Sequence, residues 1–192
     1  PFKIGIFLII FSIILIISIY VVFLVFNKQE IEKGAFSIAK VTAQKINVQL
    51  EDKLGRVQIL AMTLANFGAT MGSDHEHYCR LVKKTLQLQG YEDFIAGGGV
   101  WPEPFAFDSS KERDSCFFGR DKDKKLVFYD SYNDPKGDGY HNKEWYAPLK
   151  YFKEGKAYWS KSYVDPYSFE PMVTVSIPIY KNGVFTGVAT VD

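Results

Sequence analysis

The sequence predicts an α+β protein in which helices fill the first half of the chain and an antiparallel sheet fills the second. Between residues 29 and 67, apolar residues recur at spacings of three and four, the period of an amphipathic helix, and a second helix is expected over 75–88. From Tyr91 onward, short runs of β-branched and aromatic residues are separated by glycine-, proline- and asparagine-containing turns. Because the two patterns are segregated along the chain, the strands are expected to pair as antiparallel neighbours.

The composition restricts both the partners and the class of protein. A formal net charge of +1 over 192 residues gives no electrostatic basis for binding nucleic acid. Two cysteines, Cys79 and Cys116, are too few for a disulfide framework, so one bridge and two buried free thiols both stay open. The chain begins at Pro1 without a methionine and ends inside a strand-like run, so we expect a piece of a longer protein.

A membrane helix is predicted near the N-terminus, over 4–26. Residues Ile4 to Phe26 carry no charge and are rich in Ile, Leu, Val and Phe. Roughly 20 apolar residues suffice to cross the hydrocarbon core of a bilayer. A cleaved signal peptide would have a shorter apolar region and a cleavage site of small residues, which the sequence after Phe26 lacks. The N-terminal flank is short, and Lys28, Glu30 and Lys33 mix signs on the other side, so the charges leave the orientation of this helix open.

A long helix is predicted to follow the membrane helix directly, over 27–70. The part from Gln29 to Phe67 has no proline, only two glycines, and apolar residues at helical spacing throughout. At 1.5 Å per residue it is on the order of 50–60 Å long. We expect its apolar stripe to pack on the chain's own domain and, along part of its length, against a second copy of the chain.

The remaining residues, 71–192, are predicted to form one module. It opens with a helix over 75–88, and a short helix is expected later, from Asn142 or Lys143 to Phe152. The predicted strands are Phe94–Trp101, Cys116–Arg120, Leu126–Asp130, Ala157–Val164, Met172–Tyr180 and Val184–Val191.

The sequence shows no recognisable pattern for catalysis or metal binding. His75 and His77 lie two residues apart on a predicted helix and so point to different faces, while His141 stands alone. The run Gly97-Gly98-Gly99 lacks the following Gly-Lys-Ser/Thr of a phosphate loop, so a bulge or a close backbone contact is the better interpretation. No nucleophile–base pair is visible. We therefore expect no cofactor, no metal and no enzymatic activity in this region.

A ligand site is predicted in the C-terminal part of the module, where one cation and two acids occur among large aromatic residues. The candidate residues are Lys143, Trp145, Tyr146, Tyr163, Asp165, Asp192 and Tyr140. The acids suit an ammonium group, the lysine suits a carboxylate, and the rings can cover the body of a small zwitterion. Alternatively, the aromatic residues only fill the core and Asp165, before a proline, is a turn residue. Asp192 is the most informative residue, because an acid at the end of an apolar strand is unexpected unless something pairs with it.

The same region resembles a Cache domain. The residues that show the likeness are Trp145-Tyr146, Tyr163-Val164-Asp165-Pro166-Tyr167, the run from Val173 to Tyr180 and the run from Asn182 to Asp192. More narrowly, they resemble the membrane-distal, PAS-like half of a double Cache sensor, and the preceding membrane and stalk helices fit the same pattern. The resemblance covers nearly the whole chain and implies a PAS-like antiparallel sheet module.

The resemblance implies the sensor region of a bacterial chemoreceptor, sensor kinase or cyclic-di-GMP enzyme. Family members that bind amino acids use an Arg-x-Trp-Tyr run, a Tyr-x-Asp run and an Asp at the end of the last distal strand. The matching residues here are Trp145, Tyr146, Tyr163, Asp165 and Asp192. Lys143 stands at the arginine position, and Asp138 stands where the family has a tyrosine, with Tyr140 close by. Since lysine binds a carboxylate as a point charge and not as a fork, the expected ligand is an amino acid, an amine or a similar small molecule.

The resemblance also implies where the protein lies and what it binds. We expect a single membrane pass in the inner membrane, with the module in the periplasm or extracellular space and a homodimer formed through the stalk helix. Two alternatives stay open: a membrane-tethered extracytoplasmic enzyme and a structural module without a ligand. The first would need a nucleophile–base pair or a metal cluster, and the second would have a dry, apolar pocket.

Overall fold

The chain forms two compact units, Pro1–Glu51 and Asp52–Asp192. The computed structural model describes residues 2–70, 74–88, 90–91, 94–166 and 169–192. Tyr167, part of one of the sequence runs noted above, lies outside the described residues, as does the 71–73 start of the predicted module. The predicted boundaries between residues 26 and 27 and between residues 70 and 71 stay predictions.

One helix, α1, extends over Phe2–Thr70, which confirms the predicted long N-terminal helix. Its N-terminal part is long and apolar enough to cross a membrane. In the first unit, the large apolar side chains from Ile10 to Phe26 that the structure describes are exposed. In the second unit, by contrast, the final turns of α1 bury Leu60 and Leu64 in the core.

The second helix, α2, covers His75–Leu86. Its N-terminus is capped by Asp74, whose carboxylate accepts the backbone N–H of His77 at 3.0 Å. The helix ends two residues before the predicted end at Leu88, at a C-cap residue, Gln87, whose N–H is shared among the last carbonyls of the helix.

A six-stranded antiparallel sheet in the order β3-β2-β1-β8-β7-β4 lies at the centre of the second unit. Its strands are β1 Gly97–Pro102, β2 Cys116–Arg120, β3 Leu126–Tyr129, β4 Tyr158–Trp159, β7 Val175–Lys181 and β8 Val184–Val191. A separate two-stranded sheet pairs β5 (Tyr163–Val164) with β6 (Pro171–Met172). The predicted α+β class and the antiparallel sheet are confirmed.

The sheet separates two cores, because side chains alternate between the faces of a strand. On one face, Val175, Ile177 and Ile179 of β7 pack with apolar residues of α1 and α2. On the other face lies an aromatic cluster made of Trp101, Phe117, Tyr132, Tyr140, Trp145, Tyr146, Leu149 and Val188. The aromatic cluster supports the candidate ligand site.

Two predicted strands are each divided in the structure. Ala157–Val164 becomes β4 and β5, and Met172–Tyr180 becomes β6 and β7. The division lies at Ser160 and Thr174, where the Ser160 hydroxyl accepts the Thr174 backbone N–H at 3.0 Å. A side chain has replaced a backbone carbonyl as the acceptor, so the ladder between β4 and β7 ends there.

The short helix predicted from Asn142 or Lys143 is a turn followed by a 3₁₀ helix over Ala147–Tyr151. Pro148 explains the later start, because it has no N–H to donate to the carbonyl of Glu144, as an α-helix beginning at Lys143 would require. The turn brings Lys143 and Trp145 to the aromatic face of the sheet.

The two cysteines form a disulfide between Cys79 of α2 and Cys116 of β2. The bridge decides between the two possibilities that the sequence left open. It closes a loop of 37 residues and fastens α2 to the sheet beside it. Disulfides are typical of proteins outside the reducing cytoplasm.

The three glycines of β1 allow the backbones of neighbouring strands to approach closely. A Cβ at Gly99 would lie 2.5 Å from the carbonyl oxygen of Cys116, and a Cβ at Gly97 would lie 2.6 Å from that of Phe118. The close-contact interpretation is confirmed, and β1 pairs with both of its neighbours in an unbroken register.

We expect Gly99→Ala to lower the free energy of unfolding by about 1–3 kcal/mol, because the new methyl group forces strand β2 to shift. Urea unfolding of the purified chain measures the effect. Gly55→Ala is the matched control, since a Cβ there meets no atom within 4 Å and the helix should gain up to about 1 kcal/mol. Equal unfolding midpoints for Gly99→Ala and the wild type would contradict the close contact.

Candidate ligand-binding site

A pocket of about 230 Å³ opens on the aromatic face of the sheet. Its lining is mostly apolar and consists of Tyr132, Lys143, Glu144, Trp145, Ser160, Tyr163 and Pro166. Three of the predicted site residues, Lys143, Trp145 and Tyr163, therefore lie together in one cavity. Aromatic walls with a few polar groups are typical of pockets that hold small organic ligands.

The wall formed by Trp145 is held rigidly by the aromatic cluster. Its ring centroid lies 4.6 Å from that of Trp101, 6.2 Å from that of Tyr146 and 6.3 Å from that of Tyr132. Trp101 is itself fixed by an indole N–H that donates to the Thr190 hydroxyl at 2.8 Å. These contacts set the ring in place before any ligand enters.

Two carboxyl groups are connected to the pocket lining by hydrogen bonds, Asp165 directly and Asp192 through Thr174. Asp165 is 1% exposed and accepts the Tyr132 hydroxyl at 2.6 Å. Asp192 accepts the Thr174 hydroxyl at 2.5 Å. The Thr174 oxygen lies 2.8 Å from the Tyr163 hydroxyl, and since the Thr174 proton goes to Asp192, Tyr163 is the donor of that bond.

These hydrogen bonds fix the direction of the tyrosine hydroxyls. The proton of Tyr132 points to Asp165 and that of Tyr163 points to Thr174. Burial raises the pKa of both phenols, so each hydroxyl keeps its proton. Each oxygen retains lone pairs that accept hydrogen bonds, and the pocket therefore presents acceptors to a cation.

Asp192 lies in an environment that disfavours its charged form. Burial raises the pKa of Asp192 to about 7; the Thr174 hydrogen bond opposes this rise and the negative charge of Asp165 adds to it. With this pKa the carboxyl group of Asp192 is partly ionised near neutral pH, and a nearby positive charge would favour its ionised form. Acids with a perturbed pKa of this kind are enriched at binding sites.

One cation, Lys143, lies among the residues that line the pocket. Lys143 is partly exposed, and its Nζ lies 3.8 Å from a carboxylate oxygen of Asp138, which is almost fully exposed. A surface ion pair of this kind contributes little, so Lys143 can turn toward a ligand carboxylate at small cost. Beside it, Glu144 accepts a hydrogen bond from the Tyr158 hydroxyl at 3.0 Å.

Tyr140 and Tyr146 lie in the aromatic cluster and outside the pocket lining. Both are fully buried. The Tyr140 hydroxyl donates to the Pro102 carbonyl at 2.9 Å, and the Tyr146 hydroxyl donates to Glu103 at 2.7 Å. Tyr146, predicted as part of the pocket wall, and Tyr140, predicted as a ligand-binding residue, thus lie in the cluster beside the pocket and outside its lining.

Comparison with known proteins identifies the family. The family model described as "Methyl-accepting chemotaxis protein-like, first PDC sensor domain" matches residues 78–192, more than half of the chain. The chain belongs to this family. The predicted Cache resemblance is thereby confirmed, since PDC and Cache denote the same group of sensor domains. The family is one of sensors and is not enzymatic.

Solved structures show the same PDC fold. Methyl-accepting Chemotaxis protein X is 20% identical with a TM-score of 0.68, over 85% of this chain and 63% of that one. The extracellular domain of histidine kinase soHK1S-Z6 is 21% identical with a TM-score of 0.60, over 76% and 54%. The sensory domain of the Campylobacter jejuni chemoreceptor Tlp3 with isoleucine bound is 18% identical with a TM-score of 0.50, over 74% and 52%.

The chain spans about half to two thirds of the length of these structures. No curated protein matches it. At these identities the likeness shows the fold of the PDC domain and leaves its ligand to be argued from the pocket.

The residues that connect the acids of the PDC domain to the pocket were not predicted from the sequence. Tyr132 lies in a 3₁₀ helix over Ser131–Asn133, which is fixed by Asn133 accepting the Ser115 N–H at 2.8 Å. No local pattern marks such a contact across 18 residues. Thr174 could have been found, because period-2 alternation places it on the face opposite Val175.

Among the residues that the structure describes, no group of three His, Cys, Asp or Glu side chains is arranged to hold a metal ion. The pocket therefore offers hydrogen bonds, charge and aromatic surface to a ligand, and these three features support the function proposed below.

Proposed function

We propose that this PDC domain is the extracytoplasmic sensor of a transmembrane receptor and that it binds a small molecule carrying an ammonium group, such as an amino acid or an amine. The observation that carries the proposal is a pair of carboxyl groups, those of Asp165 and Asp192, which are linked by hydrogen bonds to the tyrosines of an aromatic pocket. An ammonium group beside the two tyrosine oxygens would lie in the field of both acids. It would also face the rings of Trp145 and Tyr163, which favour a cation.

The size of the pocket supports a small ligand. Its volume of about 230 Å³ is below the range of roughly 300–1,000 Å³ typical of drug-sized ligands. A carboxylate on the same ligand would find Lys143 at the rim. The Tlp3 structures with isoleucine and with L-valine show that proteins of this fold hold molecules of this size and charge.

The ligand class is tested by a thermal-shift screen of the chain in lipid nanodiscs. The panel contains L-amino acids, small primary and quaternary amines, and N-acetyl counterparts that lack the positive charge. A ligand present at 100 times its Kd should add about 2.7 kcal/mol to the stability. We expect stabilisation by ammonium compounds and none by their acetylated forms. Stabilisation by acids or neutral sugars alone would contradict the proposal.

The proposed location follows from α1 and the disulfide. The exposed apolar residues from Ile10 to Phe26 suit a lipid environment, and the Cys79–Cys116 bridge suits an oxidising compartment. Together they support one membrane pass with the PDC domain outside the cytoplasm. The output activity of the complete receptor lies in segments other than the sensor.

A cysteine at position 123, on the exposed hairpin between β2 and β3, should react with a membrane-impermeant maleimide in intact cells. The native cysteines are in a disulfide and stay unlabelled. The same cells after lysis provide the control for total reactivity. Labelling that occurs only after lysis would place the domain in the cytoplasm and contradict the location.

We also propose that the receptor is a homodimer formed through the stalk part of α1, where Ile31 and Ile38 are exposed. Cysteines at Ile31, Ala35 and Ile38 lie on one helix face and should crosslink between copies in the membrane. Cysteines at Lys33 and Lys40, on the opposite face, are the matched controls. Equal crosslinking at all five positions would contradict a dimer interface along this part of the helix.

A further inference from the structure

A second cluster of reactive side chains surrounds the disulfide, away from the ligand pocket. His75 Nε2 lies 3.3 Å from Cys79 Sγ, and His75 Nδ1 lies 2.8 Å from Asp114 Oδ1. The Asp114 carboxylate is only 6% exposed and also receives Lys111 Nζ at 3.2 Å. The carboxylate therefore lies beside one nitrogen of the imidazole, and the sulfur atom lies beside the other nitrogen. This is the arrangement that activates a nucleophilic thiol.

The charge state of the cluster suits this chemistry. Burial would raise the pKa of Asp114, but the contacts with His75 and Lys111 outweigh it and hold that pKa below its usual value. The ionised carboxylate lies 2.8 Å from Nδ1 and orients the imidazole, so that Nε2 faces Cys79. Tyr78 packs against the imidazole with a ring separation of 5.1 Å, and its hydroxyl donates to the Asp114 carbonyl.

The disulfide form of Cys79 gains little from the neighbouring histidine and carboxylate. A disulfide sulfur carries no proton and no charge, so the Nε2 atom beside Cys79 gains little from it. Once the bridge is open, the same atom would donate a hydrogen bond to the Cys79 thiolate, and a charge-assisted bond is roughly twice as strong as a neutral one. The geometry is therefore better suited to the dithiol state than to the disulfide.

The two sulfur atoms differ in access. Cys79 is partly exposed on α2, whereas Cys116 is fully buried in β2. An external molecule reaches Cys79 first, and Cys116 is held within bonding distance of it by the fold. One cysteine is thus placed to attack and the other to resolve the product.

We infer that Cys79 is a nucleophilic thiol that reacts with hydroperoxides, with His75 as its proton partner, Asp114 as the residue that positions His75, and Cys116 as the resolving cysteine. The Cys79 thiolate attacks the outer oxygen of ROOH, the O–O bond breaks, and ROH leaves after taking a proton from the imidazolium. The Cys79 sulfenic acid is then attacked by Cys116; the S–S bond forms and water is released. Two thiols lose two electrons, and one hydroperoxide gains them.

The reaction begins from the dithiol that a newly exported chain carries or that a dithiol reductant restores. Its product is the disulfide that fastens α2 to the sheet. None of the four residues lines the ligand pocket, so the site responds to oxidants independently of the proposed ligand.

The test measures the reactivity of Cys79 in the whole chain, kept in nanodiscs, with Cys116→Ser to prevent closure. Rates with hydrogen peroxide and with iodoacetamide are followed between pH 6 and pH 9 by mass spectrometry of the Cys79 peptide. At pH 6.5 we expect Cys79 to react at least tenfold faster than in the same chain with His75→Gln. Asp114→Asn should move the pH profile toward that of an ordinary thiol, whose pKa is about 8.5.

His77→Gln is the matched control, because His77 is an exposed histidine on the same helix and should leave the rate unchanged. If Cys116→Ser does not fold, the native chain reduced with dithiothreitol gives the same comparison through the rate of disulfide closure by hydrogen peroxide. The inference would be overturned by equal rates with and without the His75→Gln substitution, or by a pH profile that Asp114→Asn leaves unchanged. Either result would mean that Cys79 and Cys116 form a purely structural disulfide.

Discussion

Trp101→Ala should lower the free energy of unfolding of the PDC domain by about 3–5 kcal/mol. Trp101 is 2% exposed and lies at the centre of the aromatic cluster, with ring centroids of Phe117, Tyr132, Tyr140 and Trp145 within 5.3 Å of its own. Removing it leaves a cavity among four rings and deprives the buried Thr190 hydroxyl of its partner. Urea or guanidinium unfolding followed by circular dichroism measures the loss.

Because Trp101 contacts both Tyr132 and Trp145, the same substitution should also weaken ligand binding. Tyr151→Ala is the matched control: Tyr151 is 89% exposed, and its loss should change stability by no more than about 0.5 kcal/mol. An unfolding midpoint for Trp101→Ala equal to that of the wild type would mean that the cluster does not support the pocket.

Asp192→Asn is expected to weaken binding of an ammonium ligand by tenfold or more while making the ligand-free domain more stable above pH 7. At an effective dielectric constant of about 20, opposite charges roughly 8 Å apart attract by about 2 kcal/mol, which corresponds to a tenfold or greater change in Kd. The gain in stability arises because Asn removes a buried negative charge beside Asp165. Calorimetry and thermal unfolding measure the two effects on the same sample.

The opposite directions of these two effects separate a binding residue from a structural one. Substitution of an acid with a structural role would destabilise the domain. Substitution of a ligand-binding acid should stabilise the ligand-free domain, because the buried charge has no cationic partner until the ligand binds. Asp123→Asn, an exposed acid on the β2–β3 hairpin, is the control and should change neither quantity. If Asp192→Asn bound the ammonium ligand as tightly as the wild type, Asp192 would not be part of the binding site.

Much of the fold could be predicted because it follows from local patterns. Helical spacing is sufficient to define α1, and alternation is sufficient to locate β1, β2, β7 and β8. The predicted element boundaries were wrong where a single side chain changes the backbone hydrogen bonding that the local pattern implies. Ser160 ends a ladder by accepting a backbone N–H, and Pro148 delays a helix by lacking one.

The candidate site was less predictable, because its geometry depends on contacts between distant parts of the chain. Lys143, Trp145 and Tyr163 belong to family motifs and do line the pocket. Tyr132 reaches Asp165 across 33 residues, and nothing in its own neighbourhood indicates that contact. The same motifs included Tyr146, whose hydroxyl is occupied by Glu103 and whose ring supports Trp145 from behind.

The pH dependence of stability has a defined sign. The folded domain holds the Asp192 proton up to about pH 7, whereas an unfolded chain releases it near pH 3.9. Between these values the folded state binds more protons, so the contribution of Asp192 to the stability of the ligand-free domain decreases as the pH rises. Binding of a cation should change in the opposite direction, because it requires the ionised carboxylate.

The affinity of an ammonium ligand between pH 5 and pH 8.5, measured by calorimetry on the wild type and on Asp192→Asn, is the most direct test of the ammonium site. In the wild type we expect the affinity to rise by up to tenfold per pH unit below pH 7 and to level off above it. Asp192→Asn should bind weakly and show no rise in this range. A wild-type affinity that is constant from pH 5 to pH 8.5, or the same pH dependence in both proteins, would contradict the assignment of Asp192 to an ammonium-binding site.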